Sequence, residues 1–257
     1  MSPVRHRALV AAACLGLIGP AAFAAAPESL PAALVQARSS DARSRALAAR
    51  ALGSLRGQPA ESALVVLLAD KDERVRQSAA DGLAFQGDRA AAPALVAALK
   101  DPSAPVRSAA ARALGALRAP GTAGAVAELL KDSDPAMRRT AAGVLGRLGD
   151  ASVKPVLAGA LADADPATRV EAAAALARLG DAAGLPQALA GLKSRDASVR
   201  RRAAVAAALS GDSRRGLSEL NAAYAAEKDP SVRADLEAAR ARLKERLAIP
   251  APPRPRP

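Results

Sequence analysis

The sequence predicts an all-α solenoid of about seven stacked helical hairpins, and three observations carry that reading. The stretch DPAMRRTAAGVLGRLGD, Asp134 to Asp150, returns thirty-one residues later as DPATRVEAAAALARLGD, Asp165 to Asp181. An arginine recurs at the same spacing (Arg45, Arg76, Arg107, Arg138, Arg169 and Arg200), and Arg233 follows after thirty-three. Three and four places after each of the first six arginines stand two unbroken alanine columns, from Ala48/Ala49 to Ala203/Ala204. Fixed self-similarity of this length marks a repeat array, in which each unit buries its apolar face against its neighbours.

The first element stands apart from the repeat. Arg5, His6 and Arg7 precede an apolar run, Ala8 to Gly19, and small residues follow in PAAFAAA. This is the layout of a cleavable secretory signal peptide over residues 1–24, and the run is too short to span a bilayer. A lipoprotein signal using Cys14 fits less well, because Cys14 lies inside the apolar run instead of after it. Cleavage after Ala24 or Ala25 removes the chain's single Cys and single His and lowers the formal charge from +12 to +10. The expected product is a periplasmic or secreted chain without a disulfide, a thiol nucleophile or an imidazole.

Residues 25–248 form the repeat array. The second helix of each unit is predicted to start at Asp41, Asp72, Ser103, Asp134, Asp165, Asp196 or Asp229, whose side-chain oxygens accept from the unpaired amides of a first turn. Pro135, Pro166 and Pro230 take the first helical position, where a fixed φ helps and a missing amide costs nothing. Gly149, Gly180 and Gly211 mark helix ends. The first helix carries the column Leu68, Leu99, Leu130, Leu161 and Leu192. Lys100, Lys131 and Lys193 follow it, the favourable sign for a helix C-terminus. The last unit replaces the alanine pair by Leu236 and Glu237, as suits a terminal repeat with one wetted face, and residues 249–257 are a Pro-rich tail with the composition of a disordered segment.

The phrase D-x-x-V-R-x-x-A-A-x-x-L-G-x-L resembles HEAT repeats, in particular the short variety associated with phycobilisome lyase subunits, and the resemblance covers roughly Pro27 to Leu247. It implies a right-handed α-solenoid whose second helices line the concave side. It also implies a structural ladder in which the recurring arginine and a loop acid join successive repeats. Here the ladder would use Asp70, Arg76, Asp101, Arg107, Asp132, Arg138, Asp163, Arg169 and Arg200, with Glu227 continuing the acid column and Ser194 breaking it.

Residues one, five and nine places after each ladder arginine lie opposite the packing columns and keep no fixed chemistry from unit to unit. Arg112, Arg139, Arg147, Arg178 and Arg201 make the later part of this face basic, so they are the candidate sites for an acidic protein partner. Phe85 is either an exposed anchor or a filler for the leucine missing at Gln86. The expected function is an exported, non-catalytic scaffold with no cofactor, no metal, no evident small-molecule substrate and no membrane span. The alternatives come from relatives. Bilin attachment calls for a large pocket that three aromatic residues (Phe23, Phe85, Tyr224) scarcely line, and deoxyhypusine hydroxylase chemistry depends on His-Glu motifs that the chain lacks. HEAT-like DNA glycosylases cradle duplex with aromatic residues, also lacking here, so the charge predicts only non-specific, salt-sensitive binding to nucleic acid.

Overall fold

A computed structural model of the chain describes residues 29–210 and 213–248. The signal-peptide reading, Cys14, the cap expected at Gly211 and the Pro-rich tail lie outside the described residues. The described residues form fourteen α-helices, joined in places by short 3₁₀ turns, in seven consecutive pairs. The pairs are α1 (Leu30–Gln36) with α2 (Ala42–Ser54), α3 (Gln58–Leu67) with α4 (Glu73–Gln86), α5 (Ala92–Ala98) with α6 (Ala104–Leu117), and α7 (Ala123–Ala127) with α8 (Pro135–Leu148). Then come α9 (Lys154–Ala160) with α10 (Pro166–Arg178), α11 (Leu185–Gly191) with α12 (Ala197–Leu209), and α13 (Ser213–Ala226) with α14 (Pro230–Ala248). The chain divides into two compact units that meet in sequence between Ala113 and Leu114, inside α6.

Within the first unit α2 packs along α4, and within the second α8, α10, α12 and α14 pack in succession, so each unit has the layered hairpins of an α-solenoid. The starts of the second helices are set by their caps. Asp41, Asp72, Asp134, Asp165 and Asp196 each accept a hydrogen bond from a first-turn amide, and Asp229 does the same for Ser231 and Val232. Ser103 departs from the expectation: its Oγ is buried without a hydrogen-bond partner, while its amide donates to Asp101. Gly87 and Gly149 end α4 and α8 in the left-handed conformation, at φ 81° and 77°.

The alanine pairs are fully buried, as are Leu52, Leu83, Leu114, Leu145 and Leu176 seven places after the first five arginines, because each second helix in the middle of a stack has a neighbour on both sides. The residue before each ladder arginine is buried too, even where it is polar. Ser44 and Thr168 donate their hydroxyls to the capping carboxylates of Asp41 and Asp165, both at 2.8 Å, so neither polar group is stranded. In the first helices the deepest column is not the expected leucine set. Leu64, Leu95, Val126, Leu157 and Ala188, one turn earlier, are at zero exposure, whereas Leu68, Leu130 and Leu161 are half-buried. Packing also selects a seam of small residues between second helices. A Cβ on Gly53 would stand 2.8 Å from the Gly82 Cα, and one on Gly146 2.8 Å from the Ala175 Cα.

Candidate partner-binding face and the arginine ladder

The ladder arginines point into the turns between helices. Each donates Nη1 to two carbonyls of its own turn, as Arg76 does to Asp70 and Lys71 and Arg138 to Asp132 and Ser133. In four repeats Nε and Nη2 then close a two-point contact with a carboxylate one turn further along the array. Arg45 meets Asp70 at 2.6 and 2.8 Å, Arg76 meets Asp101 at 2.6 and 2.9 Å, and Arg138 meets Asp163 at 2.7 and 2.9 Å. Arg200 meets Glu227 at 2.6 and 3.0 Å; the longer glutamate spans a separation of 27 residues instead of 25. The acid six places before an arginine thus supplies a backbone carbonyl to that arginine and its side chain to the preceding one. Asp101 and Asp163 each serve in both ways.

The same carboxylates hold their own turns, since Asp70, Asp101, Asp132, Asp163 and Glu227 accept from the amide two residues on. These contacts set their protonation. Arg45 beside Asp70, Arg138 beside Asp163 and Arg200 beside Glu227 hold each carboxyl below the usual carboxylate range. Burial pushes Asp101 upward, and Arg76 with the Ser103 amide more than reverses it. Arg107 donates to the carbonyls of Asp101 and Pro102. Arg169 donates to those of Asp163 and Ala164, and among the described residues it forms no ion pair.

The opposite face of the second helices carries the residues expected to meet a partner. Phe85 is 67% exposed, so it does not fill the place of the missing leucine. Gln86 takes that place itself by donating Nε2 to the Leu52 carbonyl at 2.9 Å. Arg112, Arg147, Arg178 and Arg201 are exposed or partly so, and Arg139 is half-buried. Several of these arginines have acids of their own chain beside them. Arg112 lies 3.3 Å from Asp81, Arg178 lies 3.6 Å from Glu171, and Arg201 pairs with Asp235. Glu171 also lies 3.8 Å from Arg202 and covers Gly143, with its Oε1 only 2.9 Å from where a Cβ would be. Arg147 lies over Gly115, and Val170 and Ala174 are buried, so the face is less uniformly open than its varying sequence suggests.

Sequence reasoning misses the acids that answer these arginines, although a signal for them exists. Asp81 and Arg112, like Glu171 and Arg202, stand one repeat apart with opposite charge, which places them side by side on adjacent helices. It also misses a groove of about 630 Å³ between α2 and α4, lined by Arg43, Arg50 and Arg74 together with Asp72 and Asp81. In the last hairpin Arg233 and Arg240 both stack on the Tyr224 ring, 4.7 and 4.3 Å from its centre. Among the described residues no cluster of three or more His, Cys, Asp or Glu side chains is placed to hold a metal ion, and no helix is long and apolar enough to cross a membrane.

The family model for HEAT repeats matches residues 30–109, 93–165 and 153–241, nearly all of the repeat array. No curated protein matches the chain. Among solved structures, the complex of CpcE and CpcF of phycocyanin lyase from Nostoc sp. PCC7120 is similar with a TM-score of 0.60 and 23% identity, over 84% of this chain and 96% of that one. The Escherichia coli protein YibA is similar at 0.59 and 22%, over 91% and 86%. The archaeal HEAT-like repeat protein from Thermococcus onnurineus is similar at 0.55 and 16%, over 85% and 98%. At these identities the likeness establishes the fold.

Proposed function

The chain belongs to the HEAT-repeat family, and from that premise we propose that it is an exported, non-catalytic scaffold holding an acidic protein partner on the exposed face of its second helices. The observation that carries this reading is the contrast between columns. The alanine pairs that pack keep one residue type from repeat to repeat, whereas the outer columns vary; in the first unit they carry Arg50, Arg112 and exposed Phe85, and in the second Arg147, Arg178 and Arg201. The exposed arginines of these columns offer planar two-point donors to carboxylates, and in the first unit Phe85 offers an aromatic anchor. The acids already paired there compete for these donors, so an acidic partner binds by exchanging its carboxylates with Asp81 or Glu171. Export rests on the basic start and apolar run before Ala24.

The test is crosslinked capture from the exported fraction of the native host, with the wild-type chain beside a variant in which Arg139, Arg147 and Arg178 are changed to Gln. A partner caught by the wild type and lost by the variant, with unchanged helical content, is the expected result. Identical partners for both baits would refute the binding face. Recovery of the chain with residues 1–24 intact and in the cytoplasm would refute export.

A further inference from the structure

Among the described residues the ladder has an open rung at Arg169. Six arginines stand at equivalent positions: Arg45, Arg76, Arg107, Arg138, Arg169 and Arg200 all spend Nη1 on two carbonyls of their own turn. That shared anchor orients the guanidinium plane. In Arg45, Arg76, Arg138 and Arg200 the remaining fork, Nε with Nη2, grips the carboxylate of the next repeat. Arg169 has the same anchor, at 2.6 and 3.0 Å, but the residue 25 places on is Ser194. Its fork has no hydrogen-bond partner among the described residues.

Ser194 performs only half of the acid's task. Its Oγ accepts from the Asp196 amide at 3.2 Å, as the ladder acids accept from the amide two residues on, but it brings no charge to the arginine. Ser39 stands in the same register at the start of the array and makes the same bond to the Asp41 amide. There the position 25 residues earlier is Cys14, so no arginine is left waiting. The serine at 194 leaves one. Its neighbours Lys193 and Arg195, both exposed, add two cations beside it where the ladder acid would have supplied a negative charge.

We infer that Arg169 and Ser194 form a seat for an external carboxylate, which takes the place of the missing acid by accepting from Nε and Nη2 of Arg169. The planar fork matches a carboxylate at two points, and Lys193 and Arg195 add field without fixed geometry. The source is either a small free carboxylate or an Asp or Glu side chain of a binding partner. A response to acetate reports the seat whether or not the chain has a protein partner.

The experiment is thermal melting of the full chain in sodium acetate against sodium chloride at matched ionic strength, for wild type, Ser194→Asp and Arg169→Gln. Ser194→Asp closes the rung from within. It is expected to raise the melting temperature by about 2–4 °C in chloride, the shift that a contact of ordinary strength gives a chain of this size. Wild type is expected to melt higher in acetate than in chloride, and both variants are expected to lose that difference. An oligo-glutamate peptide forms the second arm. A wild-type response to the peptide at far lower concentration than to acetate assigns the seat to a partner's side chain; equal potency per carboxylate assigns it to free carboxylates. Equal melting of wild type in acetate and chloride overturns the inference, as does an acetate response retained in Ser194→Asp or Arg169→Gln.

Discussion

The turns and the outer face of the second helices use the same chemistry, arginine against carboxylate, to different ends. In the turns the paired arginines are 8–18% exposed, gripped at two points and anchored on backbone carbonyls. On the outer face Arg112 and Arg201 are half exposed, and Arg112 and Arg178 reach their acids only at 3.3 and 3.6 Å. Burial decides the difference. Where water is excluded, removing one partner strands the other, so losing half of a pair is costly there. Where water competes, the pair contributes little and is free to change or to exchange partners. One set of contacts therefore specifies how hairpins stack, and the other is available for recognition.

The comparison is broken most directly at Asp70. Asp70→Ala leaves the Arg45 guanidinium, buried at 8% side-chain exposure, without its carboxylate and is expected to cost about 3–5 kcal/mol, read from the urea midpoint. A loss no larger than that from an exposed pair would show that the turns do not differ from the outer face. Next in size is the seam between second helices. Gly146→Ala forces a methyl against the Ala175 backbone and is expected to cost about 1–3 kcal/mol. Gly159→Ala in α9, where a Cβ meets nothing within 4 Å, should instead stabilise by up to about 1 kcal/mol. Both glycines lie within helices, so opposite signs would isolate packing from propensity.

Acid sharpens the same contrast. Asp70, Asp101, Asp163 and Glu227 are all held below their ordinary range, so the folded chain gives up their protons more readily than the unfolded one. Their contribution is complete above the unfolded values, about 4, and is lost as pH falls through the lower folded values. Stability should be flat from pH 7 to about pH 5 and fall below about pH 4; a fall already complete at pH 5 would assign it to other groups. The smallest effect belongs to Arg112→Ala, expected within about 0.5 kcal/mol of wild type, with any change appearing in partner capture instead.

The repeat, the hairpins, the capping residues and the buried alanine columns were legible because each is a local rule copied at a fixed spacing. Asp134 and Asp165 announce their helices through the proline and alanine that come next, and Ala141/Ala142 announce close packing by recurring. Charge pairs were legible only in part. That arginines and loop acids alternate is visible in the sequence, but that Asp70 gives its carbonyl to Arg76 and its carboxylate to Arg45 depends on which turn lies beneath which. The deepest column of the first helices, Gln86 in place of a leucine, the stranded hydroxyl of Ser103 and the Glu171 cover over Gly143 were decided in the same way. Sequence determines what one repeat offers, since backbone hydrogen bonds and helix periodicity act within a few residues. The break at Ser194 is visible in the sequence, but which groups on neighbouring repeats are brought within hydrogen-bonding reach is settled only when the helices pack and water leaves between them.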